Sequence, residues 1–361
     1  MSAALAPWAI EPRDLLAVRD AASNGNRMKS LPFPSPSTVA GCVRAQLGPV
    51  NDDWSSVLDL EVAGPWLLEL DERGSSRPLA PAPRDCLWAG GETSRLRLVP
   101  GQGTGPSNLP AGLLPVVIDG GHDGSKLSKG PAFWSWEAMQ AWLVDPGAAP
   151  AGSVGPTPAL TSEWRTHVAL DPATGTAQDG KLFSVEGLRF STLTRGREAR
   201  RFGLGLAVAG PRSEELRAGL VRLGGQGRVS RLAAMGELPR LSDSWMTRLI
   251  QESGRWRVVL LTPGIFAEGW RPSDERLEAF FGEGARLVAA CVDRPQVVSG
   301  WDFVAKKPKA SRRAAPAGSV YWIESPLPGR DLLERVWLRS LCDDEQDRRD
   351  GFGRMLLGVG A

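Results

Sequence analysis

Histidine and cysteine are scarce in this chain: two His (His122, His167) and four Cys (Cys42, Cys86, Cys291, Cys342) among 361 residues. The cysteines lie far apart and none forms a Cys-x-x-Cys pair. Reduced, mostly buried thiols are expected, with neither a disulfide framework nor a zinc site. No Gly-x-x-x-x-Gly-Lys-Ser/Thr stretch is present to cradle a triphosphate, which disfavours a Walker-type hydrolase. No Asp-x-Asp or similar pair offers a two-metal centre, and Asp343-Asp344-Glu345 reads as a solvated turn. No run reaches the roughly 18 apolar residues of a membrane helix, and no basic-then-apolar leader opens the chain. A cytoplasmic protein without metal or cofactor is the expectation.

The composition present, 42% hydrophobic and 23% charged, is that of a globular protein long enough for two cores. Charge is unevenly divided. Residues 1–160 carry 12 Lys and Arg against 16 Asp and Glu, and residues 161–361 carry 31 against 25. An acidic half joined to a basic half suits a protein partner on one side and a polyanion on the other. Arg far outnumbers Lys, so the position of each Arg carries more information than their number.

Local pattern gives strands over Trp8–Arg19 and Glu61–Leu70, the latter interrupted at Gly64-Pro65, and a helix over Ser35–Leu47. A loop-rich stretch covers Arg77–Leu114, and a short helix covers Phe133–Leu143. The Pro/Gly-dense segment Asp145–Pro158 reads as a boundary between domains 1–150 and 159–361. Beyond it, strands are expected at Trp164–Leu170, Leu182–Phe190, Leu204–Val208, Arg257–Leu261, Leu287–Val292, Gln296–Phe303, Ser319–Ile323 and Met355–Val359, with helices at Glu214–Leu223 and Asp331–Leu341. Strands and helices recurring in each half indicate an α+β class with antiparallel sheets packed by helices. Most of the fourteen Trp, including Trp245, Trp256 and Trp337, lie in apolar or amphipathic contexts and read as core or interface anchors.

Several constellations suit anion contact. In Ser30-Leu31-Pro32-Phe33-Pro34-Ser35-Pro36, alternate prolines hold the chain extended until Ser35 caps a helix at Pro36. Val39, Val43 and Leu47 form its apolar stripe, and Gly48-Pro49 stops it. A helix start aimed by a rigid lead-in serves equally as a plain core helix or as an anion site. Lys306 to Arg313, with Lys306, Lys307, Lys309, Arg312 and Arg313, holds five positive charges and no acid between two strands, the pattern of a solvated hairpin tip or of a polyanion contact. Arg195, Arg197, Arg200 and Arg201 form a second basic cluster. A third is Arg348 and Arg349 with Gly351-Phe352-Gly353-Arg354, whose glycines let backbone N–H groups approach a phosphate. There Phe352 either stacks on a base or anchors the loop. Leu223-Gly224-Gly225-Gln226-Gly227-Arg228 reads as a tight turn carrying Arg228 as a phosphate contact. Arg165 and His167 share one strand face, and His167 tempts a general-base reading.

The Ser30–Gly41 segment, the lead-in Trp8-Ala9-Ile10-Glu11-Pro12-Arg13-Asp14 with Arg19-Asp20, the flanks Ser299–Phe303 and Ala317–Trp322, the Leu223–Arg228 turn and the terminal Gly-x-Gly loop resemble one CRISPR family over nearly the whole chain. It is the RAMP subunit that is third in the type III-B Cmr effector complex. The resemblance implies two ferredoxin-like (RRM/RAMP-type) domains and a non-catalytic, RNA-binding role on the 5′ repeat-derived handle of the CRISPR RNA. It also implies docking to the large polymerase-like subunit and to the first repeated backbone RAMP subunit. The RNA contacts it points to are Lys29, Ser35, Ser37, Thr38, Arg44, Arg165, His167, Arg228, the Lys306–Arg313 run and Gly351 to Arg354. The alternative is a metal-independent endoribonuclease that processes CRISPR RNA through His167, since some RAMP relatives cleave it.

Overall fold

The computed structural model describes residues 5–19, 26–71, 75–89, 94–101, 108–128, 130–146, 160–192, 200–252, 254–302 and 307–360. Its contacts group into two compact units that interleave along the chain. The first takes residues 1–76, 160–236 and 297–311; the second takes 77–159, 237–296 and 312–361. The sequence expects contiguous domains 1–150 and 159–361. The cause of the difference is strand pairing between distant segments, described next; residues 147–158 of the expected boundary lie outside the described residues.

In the first unit, β1 (Ala6–Pro12) leads to α1 (Pro36–Leu47) and then to β2 (Glu61–Leu70). The unit resumes with the ribbon β3 (Thr161–Leu170) and β4 (Ala177–Arg189), then β5 (Arg201–Ala209), β6 (Gly219–Arg222) and β7 (Val229–Ala234). Neighbours pair antiparallel in the spatial order β6-β7-β1-β5-β2. Strand β5 therefore slots between β1 and β2, which precede it by well over a hundred residues. Apart from the edge strand β6, the strands stand in the order fourth, first, third, second.

α1 starts and stops where its sequence dictates, but the Ser35 side chain makes no cap hydrogen bond; its hydroxyl lies against Ser37 Oγ. Ser35 is extended (φ −67°, ψ 144°), Pro36 opens the helix, and Gly48 at φ 67° ends it. Val39, Ala40 and Val43 are buried against the sheet, as the apolar stripe requires. Gly64-Pro65 does not break β2. The strand runs through, and its register against β5 shifts between Gly205 and Ala207, a bulge that absorbs the missing proline N–H. The helix expected over Glu214–Leu223 is instead one 3-10 turn, Ser213–Glu215, followed by β6. Gly219 weakens a helix there, and the period-two pattern, with Val221 in and Leu220 and Arg222 out, satisfies the sheet.

In the second unit, the piece Ser76–Pro81 pairs with Phe133–Ser135, and Cys86–Ala89, Ser94–Pro100 and Val116–Ile118 make a small sheet. α2 (Trp136–Val144) is capped by the Ser135 hydroxyl, which accepts from Ala138 N at 3.2 Å. Next come α3 (Asp243–Ile250), β8 (Gly254–Leu260), α4 (Asp274–Phe281), β9 (Arg286–Cys291), β10 (Val320–Ser325), α5 (Gly329–Val336), α6 (Glu345–Arg349) and β11 (Met355–Val359). The sheet β11-β8-β10-β9 is antiparallel throughout. It repeats the order fourth, first, third, second, with α4 between its first two strands and α5 and α6 between its last two.

A buried ion pair ties the 77–144 stretch to β8. Arg257 and Asp85 are 2% and 0% exposed, Trp142 Nε1 donates to Asp85 Oδ1 at 2.9 Å, and the Arg257 guanidinium also donates to the Trp142 carbonyl. Such a pair contributes little net stability, but removing one partner costs about 3–5 kcal/mol. Beside it Trp134 meets Trp88 and Trp142 edge to face at 6.5 and 5.6 Å. Cys42, Cys86 and Cys342 are buried, and burial pushes the Cys42 and Cys342 thiols up to about 12, so neither is a reactive thiolate near neutral pH. Among the described residues, no helix is long and apolar enough to cross a membrane and no His/Cys/Asp/Glu group is placed to hold a metal ion.

Candidate nucleic-acid interface

At one end of the first unit, the chain leaving β1 turns back over the β3–β4 ribbon. Leu15 to Val18 are buried, Leu16 and Leu188 exchange backbone hydrogen bonds, and Leu31 N donates to Val18 O at 2.8 Å. This fold-back leaves Asp14 exposed between two arginines from remote segments. Arg165 Nη1 of β3 donates to Asp14 Oδ1 at 3.2 Å, and Arg228, from the turn before β7, pairs with Asp14 Oδ2. Arg165 Nε also reaches Glu163 Oε1 at 3.0 Å, and Arg189 pairs with the same carboxylate. Burial works against the Asp14 charge, but the Leu15 N–H and the Arg228 and Arg165 charges outweigh it and hold its carboxyl below the usual range.

Two of the sequence candidates thus meet here, and a third follows the short strand Arg27–Met28 that pairs with β4. Arg165 and Arg228 share Asp14, and Lys29 is exposed beside Ser30, whose N–H donates to Glu186 at 3.2 Å. Neighbouring Arg27 lies 4.8 Å from the centre of the Trp164 ring. Sequence reasoning missed both Asp14 as the hub and the Arg27–Trp164 contact. A single acid after a strand carries no local signal, and only the register of β3 and β4 brings Trp164 beside Arg27.

The Leu223–Arg228 turn is open. Residues 224–227 are exposed, Gly224 sits at φ 76°, and Gly225 N donates to Ala17 O at 2.8 Å. A Cβ on Gly224 would stand 2.6 Å from Ala17 O, so close backbone approach demands glycine there. His167 faces Phe183, rings stacked at 5.4 Å and 20°. Its Nε2 is buried without a hydrogen-bond partner, a poor position for a base that must meet a substrate proton.

At the start of α1, Ser37 and Thr38 are half-buried, while Ser35 is 2% exposed and its Oγ lies 3.1 Å from Ser37 Oγ. Arg44 does not join this group. It is 7% exposed, and its Nη2 donates to the Leu60 carbonyl at 2.8 Å, so it fastens α1 to the chain entering β2.

The basic run is not a simple hairpin tip. Lys306 lies outside the described residues. Lys307-Pro308 is the return strand paired with Trp301-Asp302, and Lys309 N donates to Gly300 O at 2.8 Å. Lys307 and Lys309 are exposed in the first unit. Arg312 and Arg313 belong to the second, where Arg312 clasps Asp347 with two bonds of 2.7 and 2.6 Å while Arg313 stays exposed. Both line a 460 Å³ cavity with Asp343, Asp344 and Asp347, which is no purely cationic surface. Of the second cluster, Arg195 and Arg197 lie outside the described residues, Arg200 pairs with Glu69 and Arg201 with Glu11.

The terminal glycine loop departs most from expectation. Gly351, Phe352, Gly353 and Arg354 are all buried. Each N–H is occupied inside the unit: Gly351 to Arg348 O (3.2 Å), Phe352 to Asp347 O (3.1 Å), Gly353 to Pro263 O (2.7 Å) and Arg354 to Thr262 Oγ1 (2.9 Å). No amide is left for a phosphate. Phe352 anchors the loop at 0% exposure, and Arg354, 1% exposed, donates to Leu338 O and Arg348 O at 3.1 and 2.7 Å. A Cβ on Gly353 would lie 2.7 Å from Cys342 Sγ, so the glycine answers to packing.

A model of the family described as CRISPR-associated protein (Cas_Cmr3) matches residues 8–360. Among solved structures, the chain is similar to two described as cryo-EM structures of the type III-B Cmr-beta bound to cognate target RNA, one of them also with AMPPnP in state 1. Each likeness has 15% identity and a TM-score of 0.48, covering 88% of this chain and 86% of the other. No curated protein matches. With its family match spanning both units, the chain belongs to the CRISPR-associated Cas_Cmr3 family.

Proposed function

We propose that this protein is a non-catalytic subunit of a type III-B CRISPR effector that holds the 5′ repeat-derived handle of the guide RNA. It docks the large polymerase-like subunit and the first repeated backbone subunit, and it works in the cytoplasm. The observation that carries the reading is the family match from residue 8 to residue 360. The β-α-β-β-α-β order of the second unit, with strands fourth, first, third, second, supports a ferredoxin-like domain, and the same strand order in the first unit supports another.

Within the first unit, the Asp14 cluster suits RNA backbone contact. Arg165 and Arg228 are held in place by a shared carboxylate, Lys29 is exposed, and the half-buried Ser37 and Thr38 open α1. Lys307 and Lys309 are a further exposed basic element of that unit. The burial of His167 Nε2 argues against the endoribonuclease alternative.

The test is guide-RNA retention by the assembled complex across a salt series, with Lys306, Lys307 and Lys309→Ala. Weaker retention and a flatter salt slope are expected, because fewer counterions are released per contact. Unchanged retention would leave a protein scaffold as the better reading. Metal-free cleavage of repeat RNA by the pure protein, lost in His167→Ala, would overturn the non-catalytic role.

A further inference from the structure

Strand β6 closes one end of the first unit's sheet, and its outer side has no strand beside it among the described residues. Natural sheets blunt such edges with charge, proline or a bulge in mid-strand. β6 instead carries Gly219-Leu220-Val221, with Leu220 68% exposed and Val229 of β7 41% exposed on the same face. The charges flank this apolar centre and are of one sign. Arg222 ends the strand, and Arg231 stands opposite Leu220 in the register; both are exposed with no ion pair among the described residues. Arg217, at the approach to β6, is exposed and directs Nη1 to backbone carbonyls, including Leu216 O at 3.1 Å. Of the nearby acids, Glu11 stands opposite Arg231 in the β1–β7 register and pairs with Arg201, Glu215 is held by Arg212 and also feels the Arg217 charge, and Glu214 is exposed, so Arg222 is the arginine of this edge with no acid set against it.

We propose that the open edge of β6 accepts an extended acidic segment of another protein as an added strand. Main-chain hydrogen bonds would supply affinity, Leu220 and Val229 an apolar seat, and the flanking arginines the selection for Glu or Asp. A second copy of this chain is a poor occupant, because pairing β6 with itself sets Arg217 and Arg222 against like charges. RNA is a poor occupant as well, since neither β6 nor β7 carries an aromatic side chain on which a base could stack. The inference goes beyond the handle-binding role and stands or falls without it.

Amide hydrogen exchange on the full-length protein tests it. The probe is an end-blocked octapeptide of alternating Glu and Val, compared with its Lys-Val counterpart and with a uridine dodecamer. The acidic peptide is expected to slow exchange at residues 219–222 about tenfold near millimolar concentration. The Lys-Val peptide and the dodecamer are expected to have no effect there. R222E should abolish the protection while melting like the parent, since Arg222 is exposed at the end of the edge strand and stands opposite Val229; if it melts lower, Arg222→Gln replaces it. The proposal is overturned if the acidic peptide gives no protection, if the charge-reversed variant keeps it, or if the dodecamer protects these amides and the peptide does not.

Discussion

Two glycine-rich turns with a trailing arginine read alike in the sequence and end in opposite places. Leu223–Arg228 lies at the surface of the first unit, its glycines exposed and Arg228 bound to the exposed Asp14. Gly351–Arg354 lies inside the second unit, with every N–H occupied and Arg354 fastening two carbonyls. Glycine permits close approach, but the sequence does not say what approaches. In the first turn the neighbours are the Ala17 carbonyl and the Leu16 side chain, and then solvent; in the second it is the protein on all sides.

Arg354→Ala breaks this contrast most severely. It leaves the buried Leu338 carbonyl without its guanidinium donor, while the Arg348 carbonyl keeps the Gly351 N–H, and empties the space of a 1% exposed side chain; the loss should be about 3 kcal/mol, read as a lowered denaturation midpoint. Arg228→Ala, at a partly exposed pair, should move that midpoint little while weakening guide-RNA retention. The glycines sharpen the comparison next. Gly227 and Gly353 share nearly the same φ, 64° and 66°. A Cβ on Gly227 meets nothing within 4 Å, whereas one on Gly353 lies 2.7 Å from Cys342 Sγ. Gly227→Ala should cost about 1 kcal/mol from backbone conformation alone, and Gly353→Ala about 2 kcal/mol more from overpacking. Matching losses in a melting experiment would show that packing around the terminal loop is not what demands glycine there.

The smallest effect concerns pH. The Asp14 carboxyl is held below its ordinary value, so its pairing stabilises the fold above the unfolded-state value near pH 4 and is lost as pH falls through the folded-state value. An acid titration of stability should therefore be slightly shallower below about pH 4 in Asp14→Asn than in the parent. Equal slopes would mean that Arg165 and Arg228 do not depend on that carboxylate.

Much of the local structure was legible in the residues. Ser35, Pro36 and Gly48 fixed α1 at both ends, and Met355–Val359 is a strand as its apolar run indicates. The cysteine spacing correctly suggested free thiols. The failures are non-local. No window of sequence reveals that β5 inserts between β1 and β2, so the expected boundary at 145–158 divides segments that the sheet joins. Glu214–Leu223 has helical residues, yet an available sheet edge claims its second half. The site was half legible for the same reason. Arg165 and Arg228 were found by type, but Asp14, which gathers them, is visible only once β3 and the Leu223–Arg228 turn come together. Arg44 and Arg354 are RNA contacts by resemblance, and only packing shows that backbone carbonyls claim them.

The placement of β5 between β1 and β2 also sets a timetable for synthesis. Ala6 pairs with Val208 and Ile10 with Leu204, so β1 must wait for almost two hundred further residues before its neighbour exists. At typical ribosomal speeds of about 5–20 residues per second, that delay is roughly 10–40 s. During it, β1 has neither of the strands that flank it in the sheet, β5 and β7. The order of emergence leaves β1 an open strand until β5 arrives to close it into the sheet.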